Sequence, residues 1–227
     1  MRPSVSIVVP ALNEEANIAG LLDNLLASAP DEIVLVDGGS TDRTVEIARK
    51  HSRVRILRSG AGRGAQMNHG AANALGDVFL FLHADVRLRP GTLQQVREAM
   101  ADPAVAGGNL DIRYTGGDWV AALFSFVNRW RRHAGIFYGD SGIFCRRTAF
   151  EAMGGFRPWP IMEDYEFARR LWKRGGLAFL EAPIEVSDRR WRKAGLAATM
   201  LSWVVIQALY LLGAPPERLA RLYKDIR

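Results

Sequence analysis

The sequence predicts an α/β fold built on a mostly parallel sheet. Three observations predict it. Four short apolar runs recur early in the chain: Val5–Val9, Ile33–Val36, Val54–Leu57 and Val78–Leu82. None alternates cleanly between apolar and polar, as suits strands covered on both faces. Helical patterns lie between the runs, at the spacing of β-α-β units.

Each element follows from a local pattern. After the first run, Ile18, Leu21, Leu22 and Leu25 fit the i, i+3, i+4, i+7 rule, with Asn13 as the expected N-cap. Val45 and Ala48 share one face of a second helix that begins after Ser40 or Thr41. Ala65, Met67, Asn68, Ala71 and Leu75 suggest a third. Further on, Ala104–Tyr114 reads as a strand, and Trp119, Val120, Leu123, Phe124, Val127 and Trp130 as an amphipathic helix ending at "RWRRH". "SGIFCRR" reads as a strand, "EDYEFARRLWKRGG" as a helix with a glycine C-cap, and "GLAFLEAPIEVSDRRW" as one or two strands.

The stretch Leu196–Leu212 carries no charge over 17 residues. That is the lower edge for a membrane span. Interfacial, buried and dimer-interface helices are the other readings, the first favoured by the basic flank "RRWRK". Pro215-Pro216 then breaks the helix and opens a basic amphipathic tail.

Composition narrows the field. The chain has 227 residues and no evident linker, so one main domain is expected over 1–193. Two halves are expected within it, about 1–103 with the β-α repeats and about 104–193, which reads differently. A helical extension over 194–227 would pack on the domain, a dimer partner or a membrane surface. Cys145 is the only cysteine, which excludes an internal disulfide and a multi-cysteine zinc site and fits a reducing, cytoplasmic compartment. "MRPSVSIVVP" reads as a first strand, not a signal peptide. The formal charge is +6, with 30 Lys+Arg against 24 Asp+Glu, which favours anionic partners. No basic stripe with interleaved stacking aromatics marks a nucleic-acid reader.

Parallel strands end at one edge of a sheet, where open α/β folds bind ligands. The sequences at that edge are "PALNEE", "DGGSTD", "RSGAGRGAQMN" and "HAD". Asp85 is a carboxylate suited to a hard divalent cation bridging a diphosphate. His83, two residues earlier, falls on the same side of an extended backbone and tolerates Mn²⁺ better than Mg²⁺. The same triplet also reads as a strand end and turn. Asp37 can accept a hydrogen bond from a base or ribose, and Gly38 permits close backbone approach; the segment equally makes a turn and cap. Gly60–Asn68, with Arg63, is a glycine-rich loop entering a helix, which suits a phosphate but lacks the end of a Walker A motif. Glu163 and Asp164 open a helix, either as dipole-favoured acids or as a general base. Asp140 either touches an acceptor or holds a turn. Arg189, Arg190 and Trp191 either meet phosphate and a flat substrate face or form a solvated basic loop.

The order of these motifs says more than any one of them. "SIVVPALNEEANI", "EIVLVDGGSTDRT", "GRGAQMNHGA", "FLHADV" and "GGFRP…MEDYEFARRL" together resemble the family-2 glycosyltransferases, over Ser4 to about Gly175. "HAD" and the ending "SDRRWRKAG…YLLGAPPERLARLY" look like the bacterial selenodomain-associated transferase subgroup. The resemblance implies a GT-A, Rossmann-like three-layer sandwich with a C-terminal helical extension. It implies a nucleotide-sugar donor, Mn²⁺ or Mg²⁺, and inversion at the anomeric carbon. Pro10, Ala11, Asn13 and Glu14 would border the nucleotide, with Glu14 near the ribose. Asp37 would face the base, and Arg63 and Gly64 would close over the nucleotide, with Ala84 beside it. Asp85 matches the last aspartate of the family's Asp-x-Asp metal motif, and Asp164 the catalytic base of its Glu-Asp motif, shared with Glu163. His83 departs from the pattern, since the family usually has aspartate there, and metal identity is thereby in doubt.

The expected partners are a UDP- or GDP-sugar and an unknown acceptor, with a lipid-linked one suited to the basic, apolar C-terminal part, and a homodimer and a peripheral contact at the inner face of the plasma membrane are further expectations. The rival readings are a catalytically idle nucleotide-binding fold, which His83 favours, and a nucleotidyltransferase. The acidic "PALNEE", without glycine, argues against the second.

Overall fold

Three of the first four strands have both faces covered by apolar side chains, which is why their sequences do not alternate; the edge strand, with sequence VRILR, is only partly covered. The computed structural model describes residues 2–115, 119–186 and 196–224. Its first strands are β1 (Val5–Ala11), β2 (Glu32–Asp37), β3 (Val54–Arg58) and β4 (Val78–Phe81). The helices α1 (Ile18–Ala27), α2 (Thr44–Ala48) and α3 (Arg63–Asn73) connect them. Then come β5 (Val86–Leu88), α4 (Thr92–Ala101), β6 (Gly107–Tyr114), α5 (Trp119–Arg131), β7 (Ile143–Arg146), α6 (Arg147–Ala152), α7 (Glu163–Arg174) and β8 (Leu177–Val186). The chain closes with α8 (Leu196–Leu211) and α9 (Pro216–Lys224).

Successive side chains on a strand point to opposite faces. Val5, Ile7, Val9, Ile33, Leu35, Val78 and Leu80 enter one core with Ile18, Leu22 and Leu25 of α1 and Val96 of α4. Val8, Val34, Val36, Phe79 and Phe81 enter the other with Met67 and Ala71 of α3, Phe150 of α6 and Phe167 and Leu171 of α7. The sheet is therefore the middle of three layers. Its order is β3-β2-β1-β4-β7-β6-β8-β5. Strands β3, β2, β1 and β4 run parallel. Beyond β4 the sheet is mixed: β7 is antiparallel to β4 and β6, β8 is parallel to β6, and β5 is antiparallel to β8. The chain leaves β1 toward β2 on one side and returns as β4 on the other. The segments after β1 and β4 therefore diverge and open a crevice at the carboxyl edge.

One buried side chain ties that edge together. Gln66 of α3 donates from Nε2 to the carbonyls of Ala11 (2.9 Å) and Val36 (2.8 Å), the ends of β1 and β2. Gln66→Leu keeps the volume and removes both donors. It should lower stability by about 1–3 kcal/mol, a fall in melting midpoint of roughly 2–10 °C. An unchanged midpoint in thermal denaturation would contradict this role.

Several sequence expectations need correction. Asn13 is not the cap of α1; the helix starts at Ile18 with Asn17 in the N-cap position. Asn13 instead sits at φ 56°, and its Oδ1 accepts the Thr41 N–H at 2.9 Å, pinning the β1 loop to the β2 loop. Leu75 lies beyond α3 and is exposed. The short β5, α4 and α6 went unpredicted. No described helix is long and apolar enough to cross a membrane. At about 1.5 Å per residue, the 16 residues of α8 fall short of the roughly 30 Å hydrocarbon core. An amphipathic helix ordinarily turns its apolar stripe inward. In α5 the reverse holds: Ala121 and Asn128 are buried, while Trp119, Leu123, Phe126, Val127 and Trp130 face out.

Candidate active site

The head of α7 supplies the central carboxylate. Met162 caps the helix at φ 65°, a left-handed conformation uncommon outside glycine. Glu163, Asp164 and Glu166 follow in the first turn, where the helix dipole favours negative charge. Asp164 accepts two backbone N–H groups, from Gly139 at 2.8 Å and from Tyr165 at 2.7 Å. Its oxygens are thus fixed before any ligand arrives.

Gly139 belongs to a 3-10 turn, Gly139–Ser141, that also carries Asp140. A Cβ at Gly139 would lie 2.7 Å from His83 Nε2 and 3.0 Å from Asp164 Oδ2. The imidazole from the end of β4 and the carboxylate from α7 therefore converge on one glycine. Gly139→Ala should push them apart. A misplacement of this kind costs up to about 10²-fold in rate, so a reaction that uses both groups should slow steeply while the fold survives. Steady-state kinetics beside a melting curve checks it; an unchanged rate would contradict the convergence.

These groups line a cavity of about 130 Å³ with Arg63, Arg131, Tyr114, Tyr138, Trp203 and Tyr223. Four residues singled out in the sequence, Arg63, His83, Asp140 and Asp164, meet here. The aromatic and C-terminal members were not anticipated. Tyr138 stacks on Tyr165, with centroids 5.2 Å apart, and its hydroxyl donates to Gln207 of α8. Burial pushes the Tyr138 phenol up, so it stays a donor at neutral pH. The signal for this wall was present in the apolar run of α8, where Gln207 interrupts an otherwise greasy pattern.

Glu163, expected to share the catalytic role, is 1% exposed and lies outside the cavity lining. It pairs with Arg63, whose Nε lies 3.2 Å from Glu163 Oε1. Burial opposes the Arg63 cation, but the carboxylates of Glu163, Asp164 and Asp85 outweigh it and hold its pKa above the ordinary value. Gly64 lets α3 come close: a Cβ there would meet the Arg157 carbonyl at 2.5 Å.

Asp85 is placed differently from the sequence expectation. β4 ends at Phe81, and Ala84 and Asp85 form a turn into β5, so the backbone is not extended from His83 to Asp85. His83 lines the Asp164 cavity, while Ala84 and Asp85 line a neighbouring depression with Asn17, Arg87 and Glu185. Among the described residues, no three His, Cys, Asp or Glu side chains gather to hold a metal by themselves. A single carboxylate fits a hard cation that takes its other ligands from a diphosphate and water.

The remaining candidates lie at the same sheet edge, outside this cavity. Pro10 and Ala11 are paired within β1 opposite Val36 and Asp37. Asp37 accepts the Gly39 and Ser40 N–H groups at 3.3 and 3.0 Å, so the turn reading holds. Gly38 donates to the Ala11 carbonyl at 2.9 Å. Glu14 accepts from Asn17 Nδ2 at 2.7 Å. Each carboxylate keeps further acceptor capacity. Arg189, Arg190 and Trp191 lie outside the described residues.

Comparison with known proteins gives a consistent result. The family described as "Glycosyl transferase family 2" matches residues 6–179. A beta-monoglucosyldiacylglycerol synthase of Synechocystis is 28% identical over 218 residues, covering 81% of this chain and 43% of that protein. The chain thus spans less than half of that relative's length. A PGL/p-HBAD biosynthesis glycosyltransferase of Mycobacterium bovis is 30% identical over 191 residues, covering 77% of this chain and 72% of its own. Among solved structures, a mannosyltransferase of Pyrobaculum calidifontis in complex with GDP-Man and Mn²⁺ superposes with a TM-score of 0.73 at 22% identity, covering 100% of this chain and 68% of its own. A glucosyl-3-phosphoglycerate synthase of Mycobacterium tuberculosis, in complex with Mn²⁺, UDP and glucosyl-3-phosphoglycerate, gives 0.63 at 20%, covering 94% and 81%. These likenesses establish the GT-A fold.

Proposed function

The chain belongs to glycosyl transferase family 2, and on that premise we propose that it moves a sugar from a nucleotide-sugar donor to an acceptor with inversion at the anomeric carbon. One observation carries the reading: a carboxylate fixed by two backbone N–H groups shares a cavity with an imidazole and a guanidinium at the crevice edge of the sheet.

The chemistry is a single displacement. Asp164 takes the proton of an acceptor hydroxyl. That oxygen forms a bond to the anomeric carbon as the bond from carbon to phosphate oxygen breaks. The electron pair leaves with the nucleoside diphosphate, and the configuration inverts. Arg63, held by Glu163, supplies positive charge for the diphosphate as negative charge develops on it. Asp37 accepts from the base and Glu14 from the ribose, while Pro10, Ala11 and Gly38 form the edge the nucleotide lies against. Asp85, with His83 nearby, would hold Mn²⁺ or Mg²⁺. Such a cation, when bound, neutralises charge on the leaving diphosphate.

Of the solved structures that share this fold, the Pyrobaculum mannosyltransferase holds GDP-Man and Mn²⁺ and the Mycobacterium synthase holds UDP and Mn²⁺, which supports this donor class. The Synechocystis relative's name, a diacylglycerol glycoside synthase, supports an acceptor with a lipid part. The test is release of nucleoside diphosphate from a panel of UDP- and GDP-sugars with Mn²⁺, followed by NMR of the anomeric proton in the product. A single inverted product from one donor is the expected result. Retained configuration, or release of pyrophosphate from a nucleoside triphosphate instead, would overturn the reading.

A further inference from the structure

The helix α5 is folded inside out, and α8 beside it is apolar on both sides, with Ile206 packed inward and Leu201 and Val204 outward. The inward side of α5 is small or polar. Ser125 Oγ donates to the Ala121 carbonyl at 2.8 Å, Asn128 Nδ2 donates to the Phe124 carbonyl at 2.9 Å, and Arg129 pairs with Asp111 of β6. Its outward side carries Trp119 (73% exposed), Phe126 (60%) and Trp130 (63%), one helical stripe with Leu123 and Val127 between them. In α8, Thr199, Ser202 and Ile206 are buried, while Leu201 (65%), Val204 (63%) and Leu211 (64%) face out. The two helices meet edge to face through Phe124 and Trp203, with centroids 5.7 Å apart and rings at 81°. Each of these adjacent helices thus presents an outward apolar stripe. Monomeric proteins rarely leave such a face bare.

We propose that this α5–α8 face docks on an anionic lipid surface. Three observations select that occupant. The stripe is rich in Trp and Phe, and Trp in particular has the amphipathic ring that partitions to the level of lipid headgroups. The chain carries a formal charge of +6, with 30 Lys+Arg against 24 Asp+Glu. Anionic lipid attracts that charge, whereas a second copy of the same chain repels it. Finally, the face continues into the catalytic cavity: Trp203 and Ile206 of α8 line the space beside Asp164, while Val204 and Val205 of the same helix look outward. Docking therefore brings the cavity to the lipid without a span, in keeping with the length of α8. The docking stands on these observations alone. That it delivers the acceptor rests on the proposed transferase activity.

The experiment is co-sedimentation of the whole chain with vesicles of phosphatidylcholine alone and of phosphatidylcholine with phosphatidylglycerol. Two variants accompany it, Trp119→Ser/Phe126→Ser/Trp130→Ser on α5 and Leu201→Ser/Val204→Ser on α8. Wild type should pellet with the anionic vesicles and release as salt rises. Each variant should lose at least about tenfold in partitioning, with its melting midpoint and its nucleotide-induced thermal shift intact. Wild type that stays in solution with anionic vesicles overturns the proposal, as do variants that pellet like wild type. A dimer in light scattering that both variants dissociate, without vesicle binding, gives the face to a second copy. Because nucleotide binding is read separately, failure of docking and failure of the transferase reading are distinguishable.

Discussion

Asp164→Asn should slow sugar transfer to a hydroxyl acceptor by about 10²- to 10⁴-fold, the usual contribution of a positioned acid or base, while nucleotide binding persists. The substitution keeps the shape and removes the proton acceptor. It has one structural side effect. Asp164 accepts N–H groups from Gly139 and Tyr165 on different oxygens. Asparagine offers only one acceptor oxygen, so one N–H must face the amide –NH₂. That costs about 1–3 kcal/mol of stability, which a denaturation curve measures independently. Catalytic loss at 20 °C, with the folded fraction unchanged and the nucleotide affinity kept, therefore isolates the proton transfer. A variant that transfers at the wild-type rate would reduce Asp164 to a helix-start residue.

The second large effect concerns Asp85. Asp85→Ala should abolish the Mn²⁺-dependent part of nucleotide binding. In wild type, a nucleotide at 100 times its dissociation constant adds about 2.7 kcal/mol to stability, a rise of roughly 5–10 °C in melting midpoint for a domain of this size. The rise should need Mn²⁺ in wild type and vanish in the variant. The expectation is strong because Asp85 stands without a cluster of further acidic or imidazole ligands among the described residues. Alanine leaves no oxygen ligand at this position on the turn after β4. An equal, Mn²⁺-dependent shift in Asp85→Ala would remove Asp85 from the metal site and move attention to His83.

Much of this architecture was legible in the sequence. The parallel strands β1, β2 and β4 were readable because both of their faces are buried, which leaves runs of Val, Ile, Leu and Phe; edge strand β3 was readable from Val54, Ile56 and Leu57 despite the exposed Arg55. The parallel topology then pointed to the carboxyl edge, where Arg63 and His83 line the candidate cavity. What was illegible depends on distance in sequence. β5 has only three residues, too few for any period to emerge. The pairing of β7 between β4 and β6 is set by tertiary contacts, not by its four residues. The head of α7 was readable as acidic, but the division of labour there was not. Glu163 is turned to Arg63 and Asp164 to the cavity because Arg63 arrives from α3, about a hundred residues away.

The apolar stripe of α5 illustrates a different limit. Periodicity fixes that Trp119, Leu123, Phe126 and Trp130 share a face; it does not fix which way the face turns. The inward side is decided by Asn128, Ser125 and the pairing of Arg129 with Asp111, interactions that no helical pattern announces. Likewise the shared side expected for His83 and Asp85 required an extended backbone, and the turn at Ala84 and Asp85 removes it.

In the proposed complex the diphosphate of a donor lies at the crevice between Arg63 and the β4 turn, within reach of the Asp164 cavity. Crystals of the chain grown with a nucleoside diphosphate and Mn²⁺, measured at a wavelength where manganese scatters anomalously, test this placement. An anomalous peak should lie at ligand distance from the Asp85 carboxylate, with the diphosphate reaching the Arg63 guanidinium. A nucleotide bound elsewhere, or a manganese peak remote from Asp85, would contradict it.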